Sequence, residues 1–534
     1  MNRTGVAIAV SLLLQGLPAF VRPVGAWAYQ LDGPLHVDDN AQAIALAKTG
    51  DVYVGGFLNL NPIQSNPLSW VVVKLSGTRG TQLWQQQFPG AFSSDSVFAL
   101  AVDDAGDVIA GGSFNGFFAL RKLSGLDGST LWVREIKVTD DRVGAATAVK
   151  IDSAGDVFAV GYVAGRNQHD MCAVKVSGMD GSEIWRHVID GPSSGPDYGY
   201  GLAISPLGDI VITGQVAHYT PMLGHHPDGL TVAFSPEDGN ELWRHHVEYG
   251  GGYSVQADAV GNLFVTGWRG FGGTISTSGT QISGFKLDGS TRAELWHGSI
   301  EGDVGGGYGA IDSTGSLVAA GNRLSRRDRT WEFVVGRFLG GSGTLQWVRT
   351  PFGASTEFQS AVAICVDGAG NSVAVGTGVA GSNGRDFAVV KYSSSGEERW
   401  RRVIAGAGQE EDWALACAID MSADIIVAGY VTQLAGGQDF IAVKLSGETG
   451  EDFEPDAMTL LSLLIEDVDS LELPPGIKDS LLSKLHAAET DGGSVAGLLE
   501  AFIHEVEAQR GKKIATTDAD GLIESAREIL SLLD

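Results

Sequence analysis

The chain has 534 residues, 75 of them Gly, with 43% hydrophobic and only 19% charged; it is too long for one ordinary core and too apolar for disorder, which leaves a repeat array or several domains of short strands and tight turns. A formal net charge of -28 repels phosphate backbones and excludes nucleic acid as the expected partner. Three cysteines make no disulfide framework.

Residues 1–26 have the pattern of a secretory signal peptide. Arg3 gives a positive start, Gly5 to Leu14 is apolar, and Ala26-Trp27-Ala28 or Val24-Gly25-Ala26 has small residues at cleavage-site spacing. Gln15 and Pro18 break the apolar run, so a membrane span is not predicted. The expected location is secreted or periplasmic. Cleavage after Ala26 preserves Trp27, and Trp27-Ala28-Tyr29-Gln30-Leu31-Asp32-Gly33 resembles Trp185 to Gly191.

From there to about residue 454 the chain repeats. Trp84, Trp132, Trp185, Trp243, Trp296, Trp347 and Trp400 recur at steps of 48, 53, 58, 53, 51 and 53. A second marker, a Gly-Asp or Gly-Asn turn followed by a β-branched run, keeps the same beat at Gly50-Asp51, Gly106-Asp107, Gly155-Asp156, Gly208-Asp209, Gly261-Asn262, Gly315-Ser316 and Gly370-Asn371, with a degenerate copy at Ala423-Asp424. In the third unit four strand-length pieces follow, 146–152, 156–162, 171–177 and 183–189. Four strands per unit and eight units predict an all-β propeller of eight blades, with seven the alternative. The last unit lacks a fourth strand, and residues 27–33 are expected to supply it, closing the ring.

Propeller blades alternate strand direction, so loops between second and third strands share one face with the connections between blades. These loops vary most here, running about 57–69, 113–116, 162–170, 215–229, 268–283, 322–330, 377–386 and 430–439. That face is the expected binding face. The fourth unit puts His218, His225, His226 and Asp228 in its loop and His245 and His246 on its last strand. Imidazoles with a carboxylate suit a transition metal, but the spacing matches no strong motif, and His245 and His246 point to opposite faces. The metal is left unassigned. Arg323, Arg326, Arg327 and Arg329 make a basic loop suited to a carboxylate, a sulfate or an acidic glycan.

Two sets of aspartates recur. Asp95, Asp197 and Asp412 precede first strands; Asp170, Asp386 and Asp439 precede third strands. Calcium is conceivable, yet recurrence at one register predicts acceptors for turn N–H groups. Cys172, Cys365 and Cys417 lie in strand-like runs and are expected to be buried thiols. Cys365 and Cys417 fall on adjacent first strands with opposite parity, which lets both face one interface or both face away.

Past residue 455 Gly thins out and a small all-α domain is predicted. Leu461, Leu464, Ile465, Val468 and Leu471 keep a 3.6 period, Pro474-Pro475-Gly476 breaks the chain, and helical patterns follow at about 477–489, 493–510 and 517–533.

These motifs carry family resemblances. Gly-Asp-Val-Phe-Ala-Val-Gly (155–161), Arg-Asp-Phe-Ala-Val-Val-Lys (385–391) and Gln-Asp-Phe-Ile-Ala-Val-Lys (438–444) resemble the bacterial SBBP propeller repeat. Asp127 to Trp132 and Asp238 to Trp243 resemble PQQ-like repeats, whose Trp docks between blades. Leu471 to Ile477, Ala501-Phe502-Ile503 and Ala508 to Ile514 resemble the FIMAH domain of secreted bacterial proteins.

The functional expectation is a binding or scaffold protein, a monomer, taking an unknown protein or glycan ligand on the loop face. The alternative is a PQQ-dependent quinoprotein dehydrogenase. That class typically has an adjacent Cys pair, absent from this sequence. No catalytic residue and no cofactor is therefore predicted; calcium is left open and PQQ is disfavoured.

Overall fold

The computed structural model describes residues 27–33, 37–59, 68–165, 168–220, 224–270, 280–325, 328–379, 384–408, 411–433, 437–451 and, in the C-terminal segment, 461, 464–465, 468–469, 471, 473–490 and 495–531. Residues 1–26, expected to be a signal peptide, Arg326, Arg327 and the side chain of His225 lie outside the described residues. The chain divides into two compact units, one made essentially of Ala28–Gly450 and one containing Glu451–Asp534.

The first unit is eight four-stranded antiparallel sheets. Blade 3 shows why the repeat folds as it does. Its strands are Gly144–Ile151, Val157–Ala164, His169–Val176 and Glu183–Ile189. The first turn works because Gly155 has φ 87° and Asp152 Oδ1 accepts the N–H groups of Ala154 and Asp156, both at 2.9 Å. A bulge between Ala146 and Ala148 presses the first strand toward Gly161, where a Cβ would sit 1.9 Å from the Ala145 carbonyl oxygen. A bulge at the matching place recurs in every blade.

First strands of successive blades contact one another all the way round, blade 8 returning to blade 1. The ring closes as the sequence predicts: Trp27–Leu31 is the outer strand of blade 8, beside Gln438–Leu445. Tyr29 also donates its hydroxyl to Gln82 Oε1 of blade 1 at 2.7 Å.

One lock holds most joints. At the joint of blades 7 and 8, Trp400 lies over Gly450, whose φ is 71° and where a Cβ would come within 2.4 Å of the indole. The indole N–H donates to the Gly447 carbonyl at 3.2 Å. Lys391, opposite Trp400 on the third strand, donates to the same carbonyl at 2.7 Å and pairs with Asp367 of its own blade at 3.2 Å. The lock repeats with Lys74 and Trp84, Lys122 and Trp132, Lys175 and Trp185, and Lys286 and Trp296; Arg337 stands in for lysine beside Trp347. Lys444 reaches Gly77 across the closing joint. Around each lock, β-branched and aromatic residues of neighbouring sheets pack face to face, as Val373, Val375, Phe387 and Val389 do against Ile425 and Val427.

The cysteines are free thiols. Cys365 and Cys417 share one interface, each Sγ near the Val373 carbonyl at 3.8 and 3.9 Å, and burial pushes the Cys365 thiol well above its ordinary pKa.

The second unit has three described helices, α1 (Pro475–Thr490), α2 (Val495–Gln509) and α3 (Thr516–Ser531). Pro475 opens α1, where a missing N–H costs nothing, and Gly511 at φ 67° ends the turn after α2. Leu481, Leu485, Phe502, Val506, Leu522 and Ile529 form its core together with Leu461, Leu464 and Val468.

Candidate functional site

The recurring aspartates build the face on which the variable loops sit. Asp95 accepts N–H groups from Ala91 and Phe92 in the connection between blades, at 2.8 and 3.0 Å, and from Gly116 in the second-to-third turn at 2.9 Å. Asp197 ties Gly191 to Ala217 in the same way, and Asp412 ties Gly406 to Thr432. Asp39 does so for Gly33 and Asn59, a copy that the sequence pattern did not single out. These brackets fix connection and loop to one rim, the structural job expected of them. Burial raises the carboxyls of Asp197 and Asp412 to about 6 and that of Asp39 to about 7, against the pull of the backbone N–H groups.

Blade 4 departs from the others at this rim. The segment expected as a loop, 215–229, is mostly strand: Ile210–Thr220 and Gly224–Phe234 each run 11 residues and pair to their ends. Residues 322–330 of blade 6 likewise continue as strand to Ser325 and resume at Thr330. Both segments are polar enough to pass for loops, but a hairpin needs only paired backbone and a turn.

The extended hairpin gathers the histidines. His218 lies directly opposite His226, and Asp228 follows two residues later on the same face. His246, opposite Leu230 on the fourth strand, shares that face. Asp228 is fully buried and sits 2.5 Å from His218 Nδ1, 3.1 Å from His246 Nε2 and 3.6 Å from His226 Nε2. Its Oδ1 accepts the Tyr249 N–H at 2.8 Å. His226 is buried, stacks on Tyr249 with centroids 4.5 Å apart, and its Nδ1 lies 3.1 Å from the Gly224 carbonyl. His245 points the other way, toward Phe285 and Glu294, as strand parity predicts. Alternation over three strands was the signal that could have selected His246.

Beside this cluster the common lock is rebuilt. Ala233 occupies the lysine position opposite Trp243. Arg292, at φ 61°, occupies the turn position that is Gly elsewhere. Its guanidinium lies 5.3 Å from the Trp243 ring centroid and pairs with Asp209 of blade 4 at 2.7 Å. The Trp243 indole N–H, buried, has no acceptor. The interface is polar as well, with Thr213 and Thr231 hydroxyls 3.0 Å apart and Thr266 and Ser283 across from them.

On the rim above this joint lies a recess of about 480 Å³ lined by Glu248, Tyr249, Arg269, Gly270, Gln281, His297 and Ser299. His297 is held by the Ser283 hydroxyl at 2.8 Å. Burial, then the charge of Arg269, pushes its imidazole below the ordinary pKa, which leaves it neutral near pH 7. The recess offers a guanidinium, a carboxylate, an amide, a neutral imidazole and hydroxyls within one cavity, a set that suits a polar ligand rich in hydrogen-bonding groups.

Of the four arginines of the basic loop, Arg323 and Arg329 are described. Arg323 is paired with Glu332 across its own hairpin at 2.6 Å, and Arg329, at φ 53°, is exposed.

A family model described as outer membrane protein assembly factor BamB matches residues 67–205, the end of blade 1 through the first strand of blade 4. No curated protein matches the chain significantly. Among solved structures, Sqt1 from Chaetomium thermophilum is 13% identical with a TM-score of 0.50, over 76% of this chain and 97% of that one. BamB from Moraxella catarrhalis is 13% identical with a TM-score of 0.39, over 79% and 97%. Quinohemoprotein alcohol dehydrogenase from Comamonas testosteroni is 11% identical with a TM-score of 0.47, over 81% and 77%. At such identities the likeness is one of fold. The chain is an eight-bladed β-propeller of four-stranded sheets, and residues 67–205 are the stretch in which it is similar to the PQQ-like BamB family model.

Proposed function

We propose that this chain is an extracytoplasmic binding propeller that holds a protein or glycan ligand on the rim carrying the second-to-third strand connections. The observation behind this reading is the polar recess of about 480 Å³ at the joint of blades 4 and 5, where the lock common to the other joints is replaced. A rigid ring with one altered joint suits recognition, since the scaffold stays fixed while local residues vary. The signal-like N-terminus supports export, and among the described residues no helix is long and apolar enough to cross a membrane. The SBBP-like and FIMAH-like segments fit the same reading, with the helical unit as an accessory module.

The test is a binding screen of the full chain against acidic and neutral oligosaccharides and peptides. Arg269→Ala should weaken the ligand found at least about tenfold, the scale of one lost charged hydrogen bond. Met179→Ser, on an exposed turn of the opposite face, should leave it unchanged. An arm with added PQQ and calcium and a dye-linked alcohol or sugar oxidation tests the enzyme alternative; turnover there, with no ligand in the screen, overturns the proposal.

A further inference from the structure

The cluster on blade 4 asks for a positive partner. Asp228 is fully buried, and a buried carboxylate is costly unless charge or several hydrogen bonds compensate it. The ion pairs and side-chain hydrogen bonds that Asp228 makes in the structure are all to imidazoles. Its register supplies a comparison. Asp170, Asp386 and Asp439 occupy the same place in their blades, paired across from Val163, Gly378 and Val431 as Asp228 is from Val216. Blade 4 adds to that repeated aspartate an extended hairpin bearing His218 and His226, and a fourth strand bearing His246.

We infer that these four side chains hold one divalent transition-metal ion of the zinc class, with His218, His226 and Asp228 as the inner ligands and His246 completing the set at the rim. Donor atoms of His218, His226 and Asp228 all lie within 4.8 Å of one another. Ligands about 2.0–2.1 Å from a tetrahedral zinc stand roughly 3.3 Å apart. Asp228 Oδ2 lies 3.1 Å from His246 Nε2 and its Oδ1 3.6 Å from His226 Nε2, on either side of that value, and His218 Nδ1, 2.5 Å from Oδ2, needs a sub-ångström retreat. The second shell is also built. The Gly224 carbonyl accepts from His226 Nδ1, which turns the Nε2 lone pair toward Asp228, and Tyr249 fixes that ring by stacking. His218 and His246 remain part-exposed, which leaves the ion a way in. Two or three imidazoles with one carboxylate select zinc, copper or nickel over calcium or magnesium. The ion would tie the hairpin tip to the fourth strand and stiffen the wall shared with the recess through Tyr249.

The experiment uses the full chain without an affinity tag, stripped with a chelator and titrated with zinc by calorimetry, and with cobalt(II) as a spectroscopic probe. One equivalent of zinc should bind, cobalt should give the intense visible spectrum of a four-coordinate site, and zinc should raise the melting temperature. His226→Gln and Asp228→Asn should each weaken zinc at least about 100-fold, beyond the effect of losing an outer-shell partner. Asn keeps an acceptor for the Tyr249 N–H, so the stripped Asp228→Asn variant should melt close to the stripped parent. His504→Gln, on an exposed helical histidine, should change nothing. No stoichiometric binding, an octahedral cobalt spectrum, or affinity unchanged in the two blade 4 variants overturns the proposal. Ligand binding at the recess is measured separately, so either reading can fail alone.

Discussion

The joint between blades 7 and 8 and the joint between blades 4 and 5 join the same kind of sheets with different residues. At the first, Lys391 and Asp367 are nearly buried, Trp400 covers Gly450, and every polar group of the lock has a partner. At the second, the cation comes from the following blade as Arg292, the tryptophan N–H is unpaired, and threonines replace aliphatic side chains. The contrast teaches that a repeat can keep its geometry while its chemistry is exchanged, because the ring holds each blade from both sides. The exchange lies under the part of the rim that carries the recess and the histidine cluster.

The largest effect should come from the tryptophans. Trp400→Ala should cost about 3–5 kcal/mol in chemical denaturation, the range for a buried aromatic, and Trp243→Ala clearly less, since Trp243 is only half-buried and its N–H is unmatched. Equal losses would erase the distinction between the joints. Next, Lys391→Met should cost about 1.5–3 kcal/mol, the scale of a lost charged hydrogen bond, because Asp367 loses its cation but keeps the N–H groups of Ala369 and Asn371 and the Asn371 amide. Arg292→Gly should cost about 1–2 kcal/mol, and adding Ala233→Lys should recover most of it by restoring the common lock around Asp209. Failure of that rescue would mean that Arg292 does more than replace the lysine.

The smallest effect is a pH response that the brackets of blades 4 and 8 should share. Asp197 and Asp412 bind a proton up to about pH 6 when folded but only to about pH 4 when unfolded. Their folded pKa values are raised, so stability should be highest below about pH 4 for these groups and fall as pH rises to 6 and above, by about 1 kcal/mol each. Asp197→Asn and Asp412→Asn should each flatten the melting temperature between pH 4 and 7 by a similar amount. A response confined to one of them would mean that the brackets of blades 4 and 8 are not equivalent.

The architecture was legible because its signals are local. The tryptophan beat, the Gly-Asp turns and the outer strand at Trp27 depend on spacing and turn chemistry that a single chain displays. The candidate site was legible only in its ingredients. His218, His226 and Asp228 were visible, but their meeting needed the register of a hairpin that polar residues disguised as a loop. The exchange of Ala233 and Arg292 was marked by the repeat, ten residues before Trp243 and four before Trp296, where most other units carry a lysine and a glycine, but that the two changes meet at one joint only the structure shows. Parity restricted Cys365 and Cys417 to two arrangements, and packing decided between them.

The borrowed outer strand of blade 8 sets the order in which the molecule can be finished. Gln30 meets Asp439 across 409 positions of chain, so the first described strand of the propeller has to wait for its last. Until Gln438–Leu445 emerges, Trp27–Leu31 has no sheet to join, and until it joins, that final sheet presents a bare edge open to other chains. Removing Trp27–Leu31 therefore leaves blade 8 three-stranded with a bare outer edge, while the contacts among first strands still hold the circle shut.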